Sequence, residues 1–96
     1  MTILPCFYFI YVLFSQKDKK LYIGFTSNLE NRLKEHFAGK VTSTKQRLPF
    51  ELIHYEAFRN QKDAKAREKF LKSGFGRSQF KKSLQTDLKK LKYKFL

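Results

Sequence analysis

Acidic side chains and cysteine are what this 96-residue sequence has least of. Eight Asp+Glu stand against 21 Lys+Arg, a formal net charge of +13. The single cysteine, Cys6, excludes an internal disulfide framework and a multi-Cys zinc site, and it suits a reducing compartment, the cytoplasm. No Pro/Gly-rich linker, repeat or low-complexity stretch divides the chain, so its length supports one domain. The uncharged run at residues 3–14 holds 12 residues, where a membrane span needs about 20. No basic residue precedes it, and Lys17, Asp18, Lys19 and Lys20 follow, which is not the pattern of a signal peptide. Its β-branched and aromatic content reads instead as a strand buried on both faces.

What the sequence has in quantity is aromatic and basic. Sixteen Phe+Tyr within 42% apolar residues exclude an intrinsically disordered polycation. The charge is uneven: residues 1–58 carry 8 basic and 5 acidic side chains, residues 59–96 carry 13 and 3. A field this lopsided draws polyanions, nucleic-acid backbones first, with an anionic membrane surface as the rival partner.

Local patterns give an element order. A strand over about 7–14, a polar turn at 15–20 and a second strand over about 20–25 form a hairpin. Ser27-Asn28-Leu29-Glu30 matches a capping box with Ser27 as the cap, opening a helix with Leu29, Leu33 and Phe37 on one stripe and Gly39 as its stop. A basic loop, 40–47, leads past Pro49 to a third strand over about 50–57. Asn60 then caps a second helix running to Gly74. Phe80, Leu84, Leu88 and Leu91 predict a third, lysine-rich amphipathic helix. The order ββαβαα predicts an α+β fold, a small three-stranded antiparallel sheet flanked by helices.

Five side chains form a constellation. In any odd hairpin register Tyr11 and Tyr22 share a face, and a register sum of 33 sets them directly opposite. Gly24 on that face leaves room for close approach of a backbone or ligand. Arg32 and His36, four apart, border the stripe of the first helix that meets the sheet. Glu68 borders the apolar stripe of the second helix among Lys65, Arg67, Lys69 and Lys72. A carboxylate in such surroundings stays ionised and suits a hard divalent cation. Taken singly, each has a plainer role: a packed tyrosine, a solvated arginine, a core histidine, an ion-paired glutamate.

Taken together, Phe9-Ile10-Tyr11, the turn, Tyr22-Ile23-Gly24, then Arg32 and His36 at 10 and 14 residues and Glu68 in Ala66-Arg67-Glu68-Lys69, resemble the GIY-YIG endonucleases. The likeness covers about residues 7–80 and is nearest to small stand-alone bacterial members akin to the nuclease domain of the excision-repair incision subunit. It implies cleavage of a DNA phosphodiester with one Mg²⁺ or Mn²⁺ held by Glu68. Tyr11 and Tyr22 would activate or position the water, Tyr11 being the preferred base. Arg32 would neutralise charge on the phosphate, and His36 would relay a proton. The resemblance implies a nuclease domain over 1–80; residues 81–96 read as a basic amphipathic C-terminal helix or tail packed on or extending from the same domain. Lys40, Lys45, Arg47, Lys72, Arg77, Lys81 and Lys82 are the expected phosphate contacts.

The sequence departs from the family pattern at three places. The first motif lacks its glycine, Phe25 stands where many members have lysine, and no asparagine follows Glu68. No helix-turn-helix or zinc finger is evident, so targeting could fall to a protein partner. The rival to an enzyme is a basic binding module without catalysis, on DNA or RNA, with Phe75 and Tyr93 for stacking.

Overall fold

The computed structural model describes residues 6–93. Its strands are β1 (Tyr8–Ser15), β2 (Leu21–Thr26) and β3 (Phe50–Phe58), and its helices are α1 (Leu29–Phe37), α2 (Gln61–Lys72), α3 (Gly74–Ser83) and α4 (Gln85–Lys90). The sheet is antiparallel in the order β2-β1-β3, as the α+β reading requires. β1 lies in the middle because it is the apolar strand: Ile10 to Phe14 are almost wholly buried, and only a strand paired on both edges and covered on both faces suits that run. The part of residues 3–14 before Cys6 lies outside the described residues.

The hairpin closes on Ser15. Its Oγ accepts from the Lys17 and Asp18 amides at 3.2 and 3.1 Å, and Lys19 takes a left-handed φ of 60°. The four residues Gln16–Lys19 form the loop, and this pairs Tyr11 with Gly24 and Leu13 with Tyr22. The two tyrosines are therefore diagonal neighbours on one face, not directly opposite as a sum of 33 would make them.

Alternation along the strands builds two cores. Ile10, Val12 and Ile23 point to one face and pack with Ala64 and Leu71 of α2 and Phe80 of α3. Tyr11 and Leu13 point to the other and pack with Phe50 and with Leu29 and Leu33 of α1. On the first face, Glu56 of β3 is gripped by Arg67 of α2 at 3.0 Å and by His54 at 3.0 Å. Burial works against ionising Glu56, but the Arg67 and His54 bonds hold its carboxyl below the usual range.

The helix ends depart from the sequence reading in three details. The cap of α1 is Asn28, whose side chain accepts from the Asn31 amide at 3.1 Å; Ser27 lies one residue too early. The chain leaves α1 through Gly39 at φ 74°, the left-handed exit expected there. Asn60 occupies the cap position of α2 without a side-chain bond, and α2 ends at Lys72. Gly74 opens α3, which is capped by Ser73. The lysine-rich segment is broken at Leu84 into α3 and α4, so that Phe80 and Leu84 pack on the sheet and Leu88 is buried from two short helices instead of one.

Candidate active site

Tyr11 is the centre of the site on the α1 face. Its side chain is 1% exposed because it lies across Gly24 of the neighbouring strand, and a Cβ at that glycine would collide with the ring and hydroxyl. The room that Gly24 leaves is thus filled by Tyr11 itself. The hydroxyl stands 2.7 Å from His36 Nε2. His36 lies wholly inside, deeper than the border position expected of it. Its ring packs edge-on against both phenols, with centroids 5.5 Å from Tyr11 and 5.2 Å from Tyr22. The phenol rings themselves are 6.3 Å apart.

Arg32 reaches the same group from the preceding turn of α1. Its side chain is 36% exposed and its Nη1 donates to Glu35 at 3.3 Å. Burial pushes the Tyr11 phenol up to about 12, with Arg32 pulling it down and Tyr22 pushing it further. Tyr11 in turn raises Arg32, against the effect of burial. Burial and then Arg32 hold His36 below the ordinary imidazole value, so the ring is neutral at pH 7. The cluster therefore pairs a buried, firmly protonated phenol with a neutral imidazole and a fixed cation, and Tyr22 is its half-buried second phenol.

Glu68 comes from the other face of the sheet. It sits on α2 between Ala64 and Leu71, with its side chain 17% exposed and Lys72 Nζ 3.1 Å from its carboxylate. β2, which carries Tyr22, is an edge strand of the sheet. A half-open cavity of about 680 Å³ lies along that edge, and its lining includes Tyr22 together with Lys72, the partner of Glu68. The structure brings Tyr11, Tyr22, Arg32 and His36 into one cluster. Glu68 belongs to α2, which packs on the opposite face of the sheet, and has Lys72 as its hydrogen-bond partner.

Glu68 offers a hard cation one carboxylate, while Asp18, which lines the cavity, is held by Arg47 and Glu35 by Arg32. Among the described residues, no three His, Cys, Asp or Glu side chains converge as a metal cage. That donor set fits Mg²⁺ or Mn²⁺ in the mode in which one carboxylate is supplemented by waters and phosphate oxygens. Lys72 is half exposed.

Of the expected phosphate contacts, Lys72, Arg77 and Lys81 line the β2-edge cavity along with Lys19 and Lys20. Lys40, Lys45 and Lys82 are exposed and lie outside that cavity. Arg47 is committed to the fold: it holds Asp18 at 2.6 Å, donates to the Leu21 carbonyl and covers the Phe50 ring. Sequence reasoning missed Thr44, a wholly buried hydroxyl 2.9 Å from His36 Nδ1. A threonine in a loop of Thr, Ser and Lys carries no signal that it turns inward.

The GIY-YIG catalytic domain profile matches residues 7–83. The UPF0213 protein YsiG of Lactococcus lactis is 40% identical over 87 residues, 90% of this chain and 83% of that one. A UPF0213 protein of Pediococcus acidilactici is 45% identical over 69 residues, 69% and 68% of the two chains. Among solved structures, the solution NMR structure of the UPF0213 protein BH0048 from Bacillus halodurans is 31% identical and covers 77% of this chain and 81% of its own, with a TM-score of 0.49. The chain belongs to the GIY-YIG family of nuclease domains, and its relatives are the small UPF0213 proteins.

Proposed function

We propose that this chain is a metal-dependent endonuclease that hydrolyses DNA phosphodiester bonds, with Tyr22 as the phenol that activates water. The observation that carries the reading is the difference in burial of the two phenols. Tyr11 is buried, raised to about 12 and bonded to a neutral imidazole, whereas Tyr22 is half-buried on the edge strand β2. A general base must touch the water it deprotonates, and of the two phenols Tyr22 has the access. This reverses the preference for Tyr11 that the family likeness suggested.

The other residues take roles their chemistry allows. Tyr11 and His36 fix the position of Tyr22 from behind. Arg32, always protonated, faces the place where charge grows on the phosphate, and such preorganised charge is a large part of catalysis. Glu68 would hold Mg²⁺ or Mn²⁺, which when bound supplies electrostatic relief for the phosphate and a more acidic water. Lys72, Arg77 and Lys81 would carry the strand along the cavity, a sequence-independent grip on its phosphates. Lys40, Lys45 and Lys82 would extend that grip over the surface. A cytoplasmic location, a role in DNA repair and a protein partner for targeting fit the single exposed Cys6 and the absence of a base-reading motif.

A second reading, a basic nucleic-acid-binding module without catalysis, is favoured by the position of Glu68: ion-paired with Lys72 and on the sheet face opposite the phenols. Plasmid nicking separates the two. The wild type should nick with Mg²⁺ or Mn²⁺ and stop with EDTA, while Glu68→Ala and Tyr22→Phe each lose on the order of 100-fold in rate. DNA binding without cleavage under any metal, or undiminished cleavage by Glu68→Ala, overturns the nuclease in favour of the binding module.

A further inference from the structure

Thr44 lies in the loop between α1 and β3, and its hydroxyl takes no part in the roles assigned above. Its side chain is wholly buried, and its Oγ1 lies 2.9 Å from His36 Nδ1 and 3.4 Å from the carbonyl of Val41. That carbonyl also closes the local turn by accepting the Thr44 and Lys45 amides at 3.0 and 2.9 Å. A threonine that bonds back to the carbonyl three residues earlier is following a common local habit. With its one proton turned there, Oγ1 offers only lone pairs to the imidazole.

We propose that Thr44 is a positioning residue that holds neutral His36 in the tautomer carrying its proton on Nδ1. The run of bonds then has one direction. Tyr11 donates its O–H to Nε2 at 2.7 Å, Nδ1–H donates to Thr44, and Thr44 donates to the Val41 carbonyl. The opposite direction would bring Nε2–H to a phenol oxygen that already faces the cationic donor Arg32. Tyr11, His36 and Thr44 are each at most 1% exposed, so water does not substitute for a missing link. The sense of the run makes Tyr11 a hydrogen-bond donor to the histidine. The oxygen of Tyr11 is left to receive bonds from its neighbours, and the proton-accepting role falls to Tyr22. This consequence rests on the nuclease reading; the tautomer does not.

The test is two-bond ¹⁵N–¹H correlation of the His36 ring in the wild type, Thr44→Ser and Thr44→Val, alongside nicking kinetics. The wild type and Thr44→Ser should both show the Nδ1–H pattern, and Thr44→Val should populate the Nε2–H form. In the kinetics, Thr44→Val should lose about tenfold in kcat with KM little changed, as loss of a group that orients a site residue does, and Thr44→Ser should restore it. A wild-type His36 protonated on Nε2, or a Thr44→Val ring unchanged from the wild type, overturns the proposal. If Thr44→Val does not fold, the wild type and Thr44→Ser spectra decide it alone. The Nδ1–H pattern in a protein that cuts no DNA overturns the nuclease reading and leaves the role of Thr44 standing.

Discussion

At the scale of single residues, the molecule is governed by what burial does to groups that can ionise. His36 is enclosed by two phenols and Phe50, and its charged form has no carboxylate against it, only the more distant pull of Glu35. The unfolded chain takes up that proton near pH 6.5, while the folded chain does so only at lower pH. Between those values the unfolded state binds more protons, so stability rises with pH. The urea midpoint should therefore fall as pH is lowered from 7 through about 6. His36→Gln should lower the midpoint at pH 7 and flatten that slope, and a wild-type slope retained in the variant would refute the assignment. Asp18 is lowered chiefly by Arg47, and Glu56 is lowered by Arg67 and His54 against the effect of burial. Both act in the same direction, but only below the ordinary carboxylate values of 3.8 and 4.5.

At the scale of elements, the hairpin register decides the site. A four-residue loop puts Gly24, which has no side chain, opposite Tyr11, and the phenol lies down across the gap. Gly24→Ala places a Cβ in contact with the ring and hydroxyl of Tyr11, and β1 is too enclosed to retreat. The variant should lose about 1–3 kcal/mol by denaturant titration, the usual cost of overpacking, and lengthen the Tyr11–His36 bond in its structure. An unchanged midpoint would mean that the ring has another resting place. The opposite face is fastened differently, by the Arg67–Glu56–His54 group and the apolar contacts of α2, which is why α2 is held against β3 while its Lys65 covers Phe25 of β2.

At the scale of the whole molecule, the C-terminal segment belongs to the core as well as to the charge. Phe80 is 3% exposed and Leu88 is fully buried, Leu84 packs on the α2-side cluster, and Tyr93 leans on Phe14. The same segment brings Arg77 and Lys81 to the β2-edge cavity. Deleting residues 77–96 removes cover from β1, so the truncated chain should lose its cooperative unfolding transition by circular dichroism. A truncated chain that stays folded and loses only DNA affinity would show that this segment is an appended basic tail.

Periodicity and capping residues made the three strands, the first two helices and the α+β class legible, because these depend on neighbours a few positions apart. The same patterns gave the shared face of Tyr11 and Tyr22 and the pairing of Arg32 with His36 along α1. They did not give the register, since loops of two and four residues both satisfy odd pairing, nor the break at Leu84, which preserves the apolar spacing through a change of direction. They also left Thr44 and Arg47 looking like ordinary loop residues, one being a buried partner of His36 and the other a clamp on Asp18. The sequence by itself determined which residue types were present to grip a phosphate and how the local elements would form. The tertiary structure alone decided that Tyr11 would be sealed and Tyr22 left at an edge, and that Glu68 would come from the far side of the sheet. Burial and cross-strand register are properties of contacts between distant segments, and no local spacing encodes them.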